Sequence, residues 1–143
     1  MSESPRRRTR ELVLKGLYAH EIEELDPDRI VEEVISDEAL SQKNLDFARG
    51  LFGLVRKHRE WADGQITSLA KNWDIKRIAD IDRIILEIAL VELKEVADSP
   101  VKVVLNEAIE LAKKYSTGDS SSFINGILDA YVRRTGQEHS GQA

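Results

Sequence analysis

The sequence predicts an all-α protein. No segment alternates apolar and polar residues between turn signals in the manner of a strand. The three prolines, Pro5, Pro27 and Pro100, each stand at a break between stretches of helical periodicity. A clear loop, Ser116-Thr117-Gly118-Asp119-Ser120, separates two further such stretches.

The first helix is predicted over about Arg7 to Leu25. Val13, Leu14, Leu17 and His20 lie on one side of it, and Arg8, Glu11, Lys15 and Tyr18 form a stripe on another. Asp26-Pro27 reads as an N-cap followed by proline at the first helical position. It opens a short helix from about Pro27 to Ile35, whose apolar contacts are Ile30, Val31 and Val34. A third pattern runs from near Ser41 to about Lys71, with Phe47, Leu51, Leu54, Val55, His58, Trp61, Ile66 and Leu69. Its length predicts a bend or break, placed around Gly64. Gly50 and Gly53 lower local helix propensity by about 1 kcal/mol each. They either admit a close neighbouring helix or are blemishes.

The stretch from about Lys76 to Val96 is the most apolar. Ile78, Ile81, Ile84, Ile85, Leu86, Ile88, Ala89, Leu90, Val91, Leu93 and Val96 cover most of its circumference, leaving a narrow polar side of Asp80, Arg83, Glu87 and Lys94. A helix apolar nearly all round must be surrounded, so it belongs at the centre of the fold. Asp82 and Glu92 interrupt its apolar arc. An unpaired buried carboxylate is costly, so each is expected to be salt-bridged, to sit at an edge, or to face a partner. Val101 to Tyr115 is amphipathic, with Val104, Leu105, Ala108, Leu111, Ala112 and Tyr115 inward, and Glu110 spaced to pair with Lys114. A last helix, about Ser121 to Arg134, buries Phe123, Ile124, Ile127, Leu128 and Tyr131. The expectation is one domain over 1–135 and a disordered tail over 136–143.

A chain of 143 residues can bury a core without disulfide or metal support. It has no cysteine, which excludes disulfides, thiolate ligands and cysteine nucleophiles and fits a reducing cytoplasm. Lys+Arg 21 against Asp+Glu 26 gives a net charge of −5, so any nucleic-acid binding is expected to be local and selective. Met1-Ser2-Glu3-Ser4 has no apolar core of a secretory signal, and no apolar run approaches the ~18 residues of a membrane span.

Signals for catalysis are poor. His20 and His58 fall within helical stretches, His139 lies in the tail, and no His/Asp/Glu set has metal-ligand spacing. Asp80 and Asp82 point apart by about 200° on a helix. Glycine-rich phosphate loops and nucleophile elbows are missing from the sequence. Signals for nucleic acid are better. Arg6-Arg7-Arg8-Thr9-Arg10 concentrates planar cations suited to phosphate oxygens, and Lys15 and Tyr18 extend them with a charge and a ring. The alternative is a solvated basic end, with Tyr18 as a rim residue and Lys15 paired to Glu11. The loop before the last helix, with Asp119, Ser120 and Phe123, leads into a helix N-terminus. Its acid and serines are first of all helix caps. Against RNA, Asp119 would accept hydrogen bonds from base edges and confer preference rather than affinity.

Together these stretches resemble the NusB family of bacterial transcription antitermination factors, over about Arg6 to Ala130. The resemblance is carried by Arg6-Arg7-Arg8-Thr9-Arg10-Glu11 with Leu17-Tyr18, by Ile88-Ala89-Leu90-Val91-Glu92-Leu93, by Asn106-Glu107-Ala108-Ile109-Glu110-Leu111-Ala112-Lys113, and by Asp119-Ser120-Ser121-Ser122-Phe123-Ile124-Asn125-Gly126-Ile127-Leu128. It implies an all-α fold of two small helical bundles packed across each other, with about six to seven helices. It implies binding of single-stranded boxA RNA of nascent ribosomal transcripts together with the ribosomal small-subunit protein NusE, within an antitermination complex on RNA polymerase. It implies no catalysis, no cofactor, no membrane, a cytoplasmic setting, and either a monomer or a homodimer. By the same resemblance Arg6, Arg7, Arg8, Arg10 and Tyr18 match an RNA-binding edge, joined here by Lys15, and Asp119, Ser120 and Phe123 match a second contribution. For the contact with the NusE-type partner, Asp82 matches a position the family fills with an acid, and Arg83 and Glu92 are its neighbours on that helix. The chain has Asp82 where the family pattern leads one to expect Glu, and a small Ser116-Thr117-Gly118 ahead of Asp119. Two other classes stand beside this one. An RNA methyltransferase fragment would need an α/β domain with a Gly-rich turn, which these residues do not contain. A purely structural interaction module would show little salt dependence, whereas binding through several arginines weakens steeply with salt.

Overall fold

The computed structural model describes residues 5–71 and 74–137. Its helices are α1 (Pro5–Glu21), α2 (Pro27–Glu33), α3 (Gln42–Lys57), α4 (Arg59–Leu69), α5 (Asp80–Glu95), α6 (Val101–Tyr115) and α7 (Ser120–Thr135), with a 3₁₀ turn at Ile75–Arg77. Among the described residues there is no strand. The chain divides into two compact units, one ending at Lys57 and the other beginning at His58.

In the first unit α1 packs on α3 and α2. Leu12, Val13, Leu14 and Leu17 of α1 and Ala48, Leu51, Phe52 and Val55 of α3 are all buried, as are Ile30 and Ile35. Asp26 caps α2 as predicted, accepting from the Asp28 and Arg29 amides at 3.1 and 3.3 Å. The close approach in this unit is at Gly16. A Cβ there would come within 3.1 Å of both Ile30 Cγ2 and Ile35 Cδ1. Gly50 and Gly53 have nothing within 4 Å of such an atom, so they admit no neighbouring helix. α1 stops at Glu21, short of the expected Leu25, because Glu24 turns to φ 59° and the Leu25 amide returns to the Ala19 carbonyl at 3.0 Å. That is a left-handed helix ending without the usual glycine. His20 secures it: its Nδ1–H donates to the Leu25 carbonyl at 3.2 Å, and its ring meets Phe52 edge-on.

The third apolar pattern is two helices, as its length suggested, but the break is at His58 (φ −105°, ψ 16°) and not at Gly64, which lies inside α4. In the second unit α5 contacts α4, α6 and α7, and every residue from Asp82 to Leu93 is buried. This is the central helix expected. It begins at Asp80 rather than near Lys76, because Ile78 and Ala79 are extended after the 3₁₀ turn, which Asp74 caps through the Lys76 amide at 3.0 Å. α6 has the predicted ends. On it Glu110 pairs with Lys113 at 3.9 Å, one position short of the Lys114 expected. Trp61 of α4 and Tyr131 of α7 meet edge to face at 6.0 Å, and burial pushes the Tyr131 phenol above its ordinary pKa.

α7 ends at Gly136, whose φ of 75° forms a left-handed cap. Gln137 Nε2 then donates to the Leu93 carbonyl at 2.8 Å. These two residues of the expected tail are therefore anchored, while 138–143, His139 included, lie outside the described residues, as do 1–4. No helix among the described residues is long and apolar enough to cross a membrane.

Candidate functional site

In the first unit the arginine cluster occupies the opening turns of α1. Arg6, Arg7 and Arg8 are partly exposed. Arg10 is buried at 4 % exposure, because it shares the helical face of Val13, Leu14 and Leu17. Phe47 of α3 backs the cluster: the Arg6 guanidinium carbon lies 3.9 Å from its ring centroid and that of Arg10 5.6 Å. These are cation–π distances. Phe47, expected only as part of an apolar pattern, is thus a platform for two arginines.

The stripe Arg8, Glu11, Lys15 and Tyr18 divides in two. Arg8 Nε lies 3.1 Å from Asp37 Oδ2, and Arg8 Nη1 lies 3.6 Å from the buried Glu11. Asp37 also accepts the Ala39 amide at 2.9 Å. The Ala39 N–H first, and Arg8 second, hold the Asp37 carboxyl below the usual carboxylate range, and Asp37 in turn raises the Arg8 pKa. Glu11 faces Arg8, so the alternative Glu11–Lys15 pair does not form. Lys15 is exposed and Tyr18 half-buried. Asp37 was missed by sequence reasoning, since nothing local links the α2–α3 connection to the start of α1.

In the second unit Asp82, 8 % exposed, projects from the first turn of α5. Its Oδ1 accepts the Ser116 hydroxyl at 2.5 Å and its Oδ2 the Ser120 hydroxyl at 2.7 Å, while the two hydroxyl oxygens are 2.8 Å apart. Ser116 closes α6 and Ser120 opens α7, so one carboxylate holds both ends of the intervening loop. Asp119 sits at the N-cap position, but its side chain makes no capping bond, and it is exposed. The expected capping role is therefore not realised there. A hollow of about 450 Å³ lies at this place, bordered by Arg77, Ile78, Asp82, Thr117, Asp119, Ser120 and Phe123. Phe123 is half-buried rather than buried, and it also borders a smaller hollow of about 320 Å³ with Leu69, Lys71 and Ile127.

The three residues matched to a protein partner are all inside this unit. Arg83, 9 % exposed, donates to the fully buried Glu87 at 2.9 Å and approaches Asp80 at 3.4 Å, with Arg59 3.6 Å from the same Glu87 oxygen. Glu87, expected on the polar side, is thus part of an interior ion network. Glu92, 1 % exposed, accepts the Ser99 hydroxyl at 2.6 Å. Both acids that interrupted the apolar arc accordingly accept serine hydroxyls. Ser99 and Ser116 were not singled out as partners of these acids. Among the described residues, no group of three or more His, Cys, Asp or Glu could hold a metal ion.

The fold is one that solved NusB structures share. The structure of NusB from T. maritima superposes with a TM-score of 0.83 at 35 % identity, covering 92 % of this chain and 93 % of that one. A structure of antitermination factors NusB and NusE in complex with dsRNA has the same fold, with a TM-score of 0.80 at 23 % identity over 91 % of this chain and 97 % of that one. The transcription antitermination protein NusB of Symbiobacterium thermophilum is 39 % identical over 136 residues, which is 90 % of this chain and 89 % of that protein. The NusB family model matches residues 7–133. The chain belongs to the NusB family.

Proposed function

We propose that this chain is a transcription antitermination factor that binds the single-stranded boxA element of nascent ribosomal transcripts. It acts together with a NusE-type ribosomal protein, in the antitermination complex on RNA polymerase. The role is one of binding and not of catalysis, in the cytoplasm. The observation that carries this reading is the cationic opening of α1, mounted on the Phe47 ring within a chain that matches the family over residues 7–133.

The contacts are assigned unit by unit. On the first, Arg6, Arg7 and Lys15 meet phosphates, and Tyr18 offers a ring for a base. Arg8 reaches a phosphate by exchanging Asp37 for it, and Arg10 serves from behind Phe47. On the second, Asp119 accepts from base edges, Phe123 supplies a stacking face, and Ser120 holds the turn between them. The partner protein is assigned to the α5 surface at Asp82 and Arg83, with Glu92 further along. The burial of these three means they act largely through exposed neighbours such as Asp80.

Titrating a short boxA-like RNA strand against a shuffled one, with and without the NusE-type protein, tests this. The expected result is a preference for the boxA-like strand that increases with the partner. Equal affinity for both strands under both conditions would remove the assignment.

A further inference from the structure

The Asp82 carboxylate is almost wholly buried, yet among the described residues no cation pairs with it. Its charge rests on two neutral hydroxyls, one on each oxygen. Those hydroxyls come from residues 34 and 38 positions further along the chain, so the contact ties the start of α5 to both ends of the α6–α7 loop. Short-range bonds also shape the loop. The Ser120 amide returns to the Thr117 carbonyl at 2.9 Å and the Phe123 amide to the Asp119 carbonyl at 3.1 Å. Thr117, Gly118 and Asp119 are exposed. The link to α5 therefore adds a long-range anchor, beside the packing of α7 on α6 and α5, for Asp119 and the first turn of α7, with Phe123, around the 450 Å³ hollow.

We infer that Asp82 and Ser116 are positioning residues that act through a clasp on the 116–120 loop. The clasp sets the sequence preference of the RNA contact made by Asp119 and Phe123. Asp82 exerts its effect by accepting the serine hydroxyls, and the ligand does not meet its carboxylate directly. Losing a hydroxyl leaves part of a buried charge unsatisfied, which favours opening of the loop to water. The inference rests on the functional reading above and says how one part of that site is held.

The test compares Ser116→Ala, Ser116→Thr, Asp82→Ala and the Asp82→Ala/Ser116→Ala double variant in the full chain. Ser116→Ala is expected to lower the ratio of boxA-like to shuffled affinity roughly fivefold, less than the full worth of a hydrogen bond to a charged group. Affinity for the shuffled strand, supplied by the arginines, changes less than about twofold. Ser116→Thr keeps the hydroxyl and is expected to keep the ratio. In the double variant Ser116→Ala should cost nothing beyond Asp82→Ala, because both remove the same clasp. Additive losses, or a Ser116→Ala protein with the original ratio, would overturn the inference. Amide hydrogen exchange over 117–123 reads the clasp without RNA. It should quicken in Ser116→Ala while the rest of α5 keeps its protection, and unchanged exchange would also overturn the inference. Loss of strand preference in the unaltered protein would instead strike the functional reading, so the two failures are distinguishable.

Discussion

The start of α1 and the loop before α7 handle charge in opposite ways. At α1, Arg6, Arg7 and Arg8 stay near solvent while Arg10 turns inward, and the partners of Arg6 and Arg8 are a ring face and carboxylates: Arg6 over Phe47, Arg8 against Asp37 and Glu11. At the loop a carboxylate has been taken inside and its needs met by hydroxyls. Surface charge is screened by salt and easily exchanged for another partner, which suits affinity for a polyanion. A buried, hydrogen-bonded acid is expensive to disturb, which suits fixing a geometry. On the proposed function, one region supplies attraction and the other supplies shape.

The largest effect should come from replacing Arg6, Arg7 and Arg8 together with alanine. Binding to a boxA-like strand is expected to be lost, and any residual binding should depend on salt less steeply by about 0.7 in log–log slope per phosphate contact removed. Helical content should hold, with a slight fall in melting temperature as Phe47 and Asp37 lose their cations. Fluorescence titration across salt concentrations would show it, and an unchanged affinity would erase the contrast between the two regions.

Asp82→Ala comes next. It should weaken association with a NusE-type protein more than it weakens overall RNA affinity, and cost about 1–3 kcal/mol of stability through the lost serine contacts. Pull-down of the partner alongside thermal melting separates the two effects, and undiminished pull-down would contradict the α5 assignment.

A smaller change is expected from Asp37→Asn, which releases Arg8. RNA affinity should rise about twofold at low salt, with the gain fading as salt screens it. The same pair predicts a pH dependence. Because the folded Asp37 carboxyl titrates below its unfolded value, the tether contributes above the ordinary carboxylate range and is lost as pH falls through the depressed value. A carboxyl NMR titration of Asp37, with and without Arg8→Ala, would reveal the shift and its partial relief. Relief should be partial because the Ala39 amide is the larger cause.

The smallest effect belongs to Arg29→Ala. Arg29 is an exposed cation of the same unit, paired within α2 to Glu33 at 2.7 Å. RNA affinity should stay within about twofold, since an isolated surface charge adds little beyond the cluster. A large loss there would mean that general basicity, and not the α1 cluster, attracts RNA.

Much of the fold was legible in local pattern. α6 appears with its predicted ends, the Asp26-Pro27 start of α2 is capped as read, and the nearly all-apolar α5 is central to its unit. The misses lie where chain direction changes without glycine or proline. Glu24 adopts a left-handed turn with no residue to announce it, and His58 interrupts a pattern that otherwise runs on. In the site, Arg10 could have been placed indoors from its spacing to Val13, Leu14 and Leu17. Four arginines in five residues make charge the dominant local signal there and mask that spacing.

By itself the sequence determined the helical class, the apolar faces and the concentration of cations at one end, because these depend on residues within a few turns of each other. The tertiary structure alone decided which polar groups meet. Asp82 finds hydroxyls 34 and 38 residues away, Arg8 an acid 29 away, and Glu92 a serine beyond its own helix. A buried carboxylate announces that it needs donors, but which donors arrive is settled only when distant segments are packed against it.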